Sequence, residues 1–122
     1  MAEVPLVLVA DDDESILYFV ATALAEEGCR VVSARHGREA LERLGDQRPS
    51  LVIVDMAMPV MDGEHFLRVA RSEGLLKAPV VIMTAASRAR IKCQELGADG
   101  YLAKPFGLRE LHRCVEALLA KG

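Results

Sequence analysis

The chain has 122 residues, of which 52% are hydrophobic and 27% are charged, and its formal net charge is −3. A chain of this size and composition forms one domain with a proper hydrophobic core, so a disordered chain, a TIM barrel and a cofactor domain joined to a substrate domain are excluded. We therefore expect residues 1–122 to form a single domain.

Five short apolar runs rich in valine and isoleucine recur along the chain, at residues 6–10, 31–34, 51–54, 80–83 and 101–103. Continuous runs of this kind are typical of parallel strands buried on both faces. Helical periodicity follows each run, and Gly28, Gly45 and Gly74 are stop signals for the first three helices. The fourth helix is expected over residues 88–96, where the pattern is weak, and the fifth over residues 108–119, where it is clearest. Five strand–helix units with right-handed crossovers predict an α/β fold, in which helices cover both faces of a parallel sheet.

Acidic charge is concentrated in the first two-thirds of the chain: residues 1–83 carry 8 basic and 14 acidic residues, and residues 84–122 carry 7 and 4. No basic cluster is dense enough to predict direct nucleic-acid binding. No apolar run approaches the roughly 18 residues of a membrane helix, and the first residues lack the basic charge of a signal peptide. Three cysteines without CxxC spacing predict free buried thiols in a reducing compartment. We therefore expect a cytoplasmic protein that does not contact a membrane.

Polar residues stand at the carboxyl ends of four predicted strands. Asp11 and Asp12 follow the first strand, Asp55 the third, Thr84 the fourth and Lys104 the fifth. Because ligands bind at this edge of a parallel sheet, we expect these side chains to converge there. Three carboxylates in one cleft repel each other unless a cation joins them, and oxygen ligands without sulfur or imidazole favour Mg²⁺. Carboxylates beside Mg²⁺, a lysine and a hydroxyl form a phosphoryl-transfer site, in which one aspartate can itself be the nucleophile.

Each of these features alone has a plainer interpretation. An acidic run such as residues 11–14 is often a solvated helix N-terminus, and an aspartate after a strand, such as Asp55, is often a turn residue. Such features occur together at the same end of four strands, and this coincidence favours a phosphoryl-transfer site over four unrelated structural roles.

Four segments carry a family resemblance: VLVADDDESIL at residues 7–17, LVIVDMAMPVMDG at 51–63, VVIMTA at 80–85 and GADGYLAKPF at 97–106. In this order they resemble the receiver domain of two-component response regulators, of the stand-alone kind similar to chemotaxis regulators. The resemblance covers essentially the whole chain. It implies the flavodoxin-like (βα)₅ fold, a five-stranded parallel sheet of order 2-1-3-4-5 with helices on both faces.

The resemblance also implies roles for single residues. Asp55 would accept a phosphoryl group from a histidine kinase or a phosphotransfer protein. Asp11, Asp12, Asp55 and the backbone carbonyl of Ala57 would hold Mg²⁺, and Lys104 would pair with the phosphoryl oxygens. Such a module promotes its own phosphorylation and dephosphorylation but is not a turnover enzyme.

The remaining implied residues form a switch. Thr84 would hydrogen-bond the phosphoryl group, and the rotamer of Tyr101 would follow Thr84. The bond between Lys104 and Pro105 is often cis in this family. The switch would change the surface of the fourth helix, fifth strand and fifth helix, to which an unknown protein partner would bind, and the domain would be a monomer or a weak dimer.

The chain departs from the family pattern in two places. Only 20 positions separate Thr84 from Lys104, which predicts a short connection before the fourth helix. Ala57 and Ala86 offer no polar side chain to orient the water that removes the phosphate.

Two alternatives and two weaker signals remain open. Residues 11–15 also fit the D-x-D-x-[TS] pattern of haloacid-dehalogenase-type phosphatases, with Asp11 as nucleophile, although no second acidic pair follows. A receiver fold can also be an unphosphorylated interaction platform. The three histidines, at positions 36, 65 and 112, are interpreted as surface or packing residues. A basic group is either a solvated face or a docking patch for an acidic partner; its members are Arg88, Arg90, Lys92, Arg109 and Arg113.

Overall fold

Strands and helices alternate along residues 4–120, the part of the chain that the computed structural model describes. The strands are β1 (Leu6–Ala10), β2 (Arg30–Ala34), β3 (Leu51–Asp55), β4 (Val80–Ala85) and β5 (Gly100–Lys104). The helices are α1 (Glu14–Glu26), α2 (Gly37–Asp46), α3 (Gly63–Ser72), α4 (Ala86–Leu96) and α5 (Leu108–Leu119). All pairings are parallel, in the order β2-β1-β3-β4-β5. This confirms the predicted flavodoxin-like fold.

The sheet separates two hydrophobic clusters, because successive side chains of a strand point to opposite faces. Val7 and Val9 of β1 face the cluster that contains residues of α1 and α5. Leu8 and Ala10 face the cluster that contains residues of α2, α3 and α4. Both faces of β1 are therefore covered, and each fully buried valine or leucine contributes about 1.5–3 kcal/mol. Within the described residues, none of the five helices has the length and apolar character required to span a membrane.

Four strands extend beyond the apolar runs that predicted them, because polar residues at their ends continue the pairing. Asp55 pairs with Met83 and ends β3. Ala85 pairs with Lys104, and this pair ends both β4 and β5. Asp55 and Lys104 are therefore fixed in the sheet rather than carried by loops.

Helix α4 begins at Ala86, directly after β4, whereas the sequence pattern predicted a start at position 88. That prediction was wrong because Ala85, at the N-cap, makes no side-chain hydrogen bond, so no capping residue marks the start. Polar contacts join the middle and the C-terminal end of α4 to α3. Lys92 Nζ lies 3.1 Å from Glu64 Oε1, and Arg71 donates to the carbonyl oxygens of Leu96 and Gly97.

Candidate functional site

The predicted site residues lie along the carboxyl edge of the sheet. Asp11 is the first residue after β1, Asp55 is the last of β3, and Lys104 is the last of β5. Met83 is the partner of Asp55 in the pairing of β3 with β4, so Thr84 lies one position beyond it. The parallel topology thus brings residues from four separate strands to one place, as the sequence predicted.

Lys104 bridges two buried carboxylates. Its Nζ lies 2.8 Å from Asp11 Oδ2 and 3.0 Å from Asp55 Oδ1, and those aspartate side chains are 0% and 7% exposed. Burial raises the pKa of Asp55 above its ordinary value; the hydrogen bond from Lys104 opposes the rise, and the charges of Asp11 and Asp12 add to it. Burial alone would lower the pKa of Lys104, but its hydrogen bonds to Asp11 and Asp55 outweigh that effect and raise the pKa. The lysine therefore stays charged and balances part of the buried negative charge.

Asp11 is held in one orientation by its neighbours. Its backbone N–H donates to the carbonyl of Ala34 at 3.0 Å, which ties the residue to β2. Its Oδ1 accepts from the backbone N–H of Asp13 at 2.9 Å, and its Oδ2 accepts from Lys104. Because Asp11 is buried and both of its oxygens are engaged, the arrangement does not favour it as a phosphatase nucleophile.

Three carboxylates meet at this edge. Oxygen atoms of Asp11, Asp12 and Asp55 all lie within 4.8 Å of one another, and Asp12 is the exposed member. Together with the ammonium of Lys104, the ionised set carries a net negative charge that a divalent cation would neutralise. Oxygen donors without sulfur or imidazole suit a hard cation such as Mg²⁺. The donor set therefore fits the ion that the sequence predicted.

The loop between β3 and α3 passes beside this cluster. The backbone N–H of Met56 donates to the carbonyl of Met83 at 3.0 Å, and that of Gly63 donates to the carbonyl of Met56 at 3.3 Å. A Cβ at Gly63 would overlap the carbonyl oxygen of Asp55, so only glycine allows α3 to start this close to β3. Ala57 is exposed in this loop, two positions after Asp55.

The residues expected to form the switch lie on β4 and β5. Thr84 is half-buried and pairs with Ala103, the neighbour of Lys104. Tyr101 pairs with Ile82, and 42% of its surface is exposed. The peptide bond between Lys104 and Pro105 is cis, as the resemblance implied.

The other singled-out residues do not join the site. His36 caps α2, since its Nδ1 accepts from the backbone N–H of Glu39 at 3.2 Å. His65 is exposed and His112 is half-buried on α5. The three cysteines are free, as predicted, but only Cys29 is buried, whereas Cys93 and Cys114 are half-buried. The placements of the histidines agree with their interpretation as surface or packing residues.

Sequence reasoning missed two residues at the border of the site. Gly37 donates a backbone hydrogen bond of 2.7 Å to the carbonyl of Met61, in the loop that contains Ala57. Val60, in the same loop, has a φ of 69°. The only sequence signal for the contact of Gly37 was a glycine at the start of a helix. A valine gives no signal of a left-handed backbone conformation, so the conformation of Val60 could not be predicted.

Comparison with known proteins identifies this architecture. The sequence model of the response regulator receiver domain matches residues 7–116. The chain belongs to this family. Receiver domains are the phosphoacceptor signalling modules of two-component systems.

The receiver domain has relatives among both curated and structurally solved proteins. It is 34% identical over 117 residues to the alkaline phosphatase synthesis transcriptional regulatory protein PhoP of Bacillus subtilis, covering 94% of this chain and 48% of that protein. It is 39% identical over 119 residues to the transcriptional regulatory protein PrrA of Mycobacterium tuberculosis, covering 96% of this chain and 51% of that protein. The chain therefore spans about half the length of these relatives.

Solved receiver structures share the whole fold. The chemotaxis response regulator CheY4 of Vibrio cholerae superposes with a TM-score of 0.87 at 32% identity, over 95% of this chain and 99% of that one. The receiver domain of the Francisella response regulator 1452 gives a TM-score of 0.86 at 34% identity, over 96% and 98%.

Proposed function

We propose that this receiver domain takes a phosphoryl group onto Asp55 from the phosphohistidine of a histidine kinase or phosphotransfer protein, in a Mg²⁺-dependent reaction. One observation carries the proposal: Lys104 Nζ lies within 3.0 Å of both Asp11 and Asp55, beside the exposed carboxylate of Asp12. A positioned carboxylate, a second pair of carboxylates and an ammonium supply what phosphoryl transfer requires, namely alignment and charge neutralisation.

The two oxygens of Asp55 have different surroundings. Oδ1 is engaged by Lys104, whereas no described residue donates a hydrogen bond to Oδ2. Oδ2 is therefore the attacking atom: it forms a bond to phosphorus as the phosphorus–nitrogen bond of the donor breaks, and an acyl phosphate is left on Asp55. The ammonium of Lys104 pairs with the phosphoryl oxygens after transfer.

The carboxylates of Asp11, Asp12 and Asp55 and the carbonyl of Ala57 would hold Mg²⁺. When bound, the ion supplies charge neutralisation for the phosphoryl oxygens. The chain's own residues orient the acceptor: Lys104 and the β3–β4 pairing fix Asp55, and the backbone of Asp13 fixes Asp11.

Phosphorylation alters the α4–β5–α5 surface in this proposal. The Thr84 hydroxyl donates to the new phosphoryl group, and Tyr101 turns inward from its exposed position. The surface bears three exposed apolar side chains, Ile91, Tyr101 and Leu108. It also carries arginines that are exposed and form no ion pair within residues 4–120: Arg88, Arg90, Arg109 and Arg113. Aromatic, aliphatic and arginine side chains together suit an acidic protein partner with apolar anchors.

The proposal treats residues 1–122 as one receiver domain that acts as a stoichiometric switch and not as a turnover enzyme. It assigns the domain to the cytoplasm, where its three free thiols remain reduced.

Acetyl phosphate tests the proposal without a kinase. The parent chain, treated with acetyl phosphate and Mg²⁺, should gain one phosphoryl group that maps to Asp55, and EDTA should prevent the gain. Asp55→Asn should gain none. Asp13→Asn is the matched control, because Asp13 is exposed, caps α1 and stays a good cap as asparagine. Label on Asp11, or label that persists in Asp55→Asn, would overturn the assignment.

A further inference from the structure

Helix α2 begins in direct contact with the loop between β3 and α3. Gly37 is buried, and its backbone N–H donates to the carbonyl of Met61 at 2.7 Å. A Cβ at position 37 would lie 2.6 Å from that carbonyl oxygen and 2.7 Å from Met61 Cγ. Both distances are shorter than any that a real Cβ tolerates, and one of the atoms belongs to the backbone. Any other residue at position 37 must therefore displace the loop.

The loop conformation is imposed by its contacts and not by local preference. Val60 has a φ of 69°, in the left-handed region that a β-branched residue rarely adopts. Such a conformation persists only where the surroundings over-determine the backbone. Those surroundings include the side chains of Met58 and Met61, which are each 9% exposed in the core, and the contact with Gly37.

The same loop leads back to the acidic cluster. It starts at Met56, which follows Asp55 and is fixed by its hydrogen bond to Met83. Ala57 lies between this fixed end and the buried Met58. Because the Met56 end is fixed, we expect a displacement of Met61 to be taken up by the segment from Ala57 to Val60.

We propose that Gly37 is a positioning residue for the divalent-cation site: because it leaves room for Met61 to make contact, it holds the loop whose Ala57 carbonyl would bind the ion in the proposed function. This inference rests on the proposed function. Gly37 touches neither the ion nor the phosphoryl group and acts through Met61.

A pair of glycine substitutions in one helix tests the inference. Gly37→Ala places a methyl group against Met61, whereas Gly45→Ala, also in α2, meets no atom within 4 Å. Binding of MgCl₂ is measured by isothermal titration calorimetry, and urea unfolding in EDTA reports stability apart from the ion. Gly37→Ala should bind Mg²⁺ about 10- to 100-fold more weakly, the usual effect of losing support behind a metal ligand. Gly45→Ala should bind as the parent does.

A loss of stability in Gly37→Ala does not by itself show that Gly37 positions the cation site. If Gly37→Ala is less stable in EDTA but binds Mg²⁺ as tightly as the parent, Gly37 is only structural and the inference fails. If Gly37→Ala does not fold in buffer alone, it is compared with Gly45→Ala in the osmolyte TMAO, which favours the folded state of both variants. Equal Mg²⁺ affinity in that pair overturns the inference. A parent chain that binds no Mg²⁺ would instead refute the proposed function.

Discussion

Replacing Lys104 by methionine keeps most of the side-chain volume and removes the charge that lies between two buried carboxylates. Nζ lies 2.8 Å and 3.0 Å from the carboxylate oxygens of Asp11 and Asp55. At an effective dielectric constant of about 20, each attraction is roughly 5–6 kcal/mol before the cost of desolvation is counted. Breaking a buried pair by removing one partner typically costs a net 3–5 kcal/mol. We expect Lys104→Met to lose about this much in the metal-free protein, or about 10–20 °C in Tm.

The loss should depend on pH. Because the pKa of Asp55 is raised, the folded chain keeps a proton that the unfolded chain has released at pH values between the ordinary and the raised pKa. Stability therefore falls as the pH rises through that interval. In the parent, the hydrogen bond from Lys104 opposes the rise in the pKa of Asp55. Lys104→Met lacks this bond, so the pKa of Asp55 is higher in the variant and its stability continues to fall up to a higher pH. The difference between parent and variant should be larger near neutral pH than at about pH 5.

Urea unfolding in EDTA, followed by circular dichroism at both pH values, measures these differences. Lys77→Met is the matched control, because Lys77 is exposed and forms no ion pair within the described residues. The control should stay within about 0.5 kcal/mol of the parent. A loss for Lys104→Met that is no larger than the control, or that is the same at both pH values, would refute the reasoning.

Three further predictions follow from the same contacts. Asp55→Asn removes one crowded carboxylate, so it should raise the free energy of unfolding of the metal-free domain by about 1 kcal/mol near neutral pH; unchanged or lower stability in urea and EDTA would contradict this. Mg²⁺ at ten times its dissociation constant should stabilise the parent by about 1.4 kcal/mol in thermal melts. Asp12→Ala should shrink that gain, and an undiminished gain would remove Asp12 from the site. Lys92→Met breaks the ion pair with Glu64, so amide hydrogen exchange in α4 should become faster while that of α5 stays the same; identical exchange in α4 would show that the pair does not hold the helix.

Periodicity was enough to predict a parallel sheet, and strand-end residues were enough to predict the edge at which the candidate site residues meet, because both depend on regular features of the chain. The strand order came from the family resemblance. The valine-rich runs marked the buried part of each strand, and the topology rule then placed Asp55 and Lys104 together. The runs understated the strand ends, since Asp55, Thr84 and Lys104 pair in the sheet without being apolar. The bounds of α5 agreed with prediction because its apolar stripe is regular.

The features that escaped prediction depend on contacts between distant segments. No local pattern shows that Met61 meets Gly37. The left-handed conformation of Val60 runs against the local preference of valine, so sequence reasoning argues against it. The start of α4 could not be predicted either, because alanine at the N-cap makes no side-chain hydrogen bond and does not mark a helix boundary.

The ammonium between the two carboxylates arrives from the far end of the chain: 93 positions separate Lys104 from Asp11. During synthesis on a ribosome, the acidic residues emerge long before the strand that neutralises them. Until β5 joins the edge of the sheet, the carboxylate of Asp55 lacks the ammonium that lies beside it in the folded domain. On the proposed function, we therefore expect competence for phosphorylation to appear only once β5 has joined the sheet.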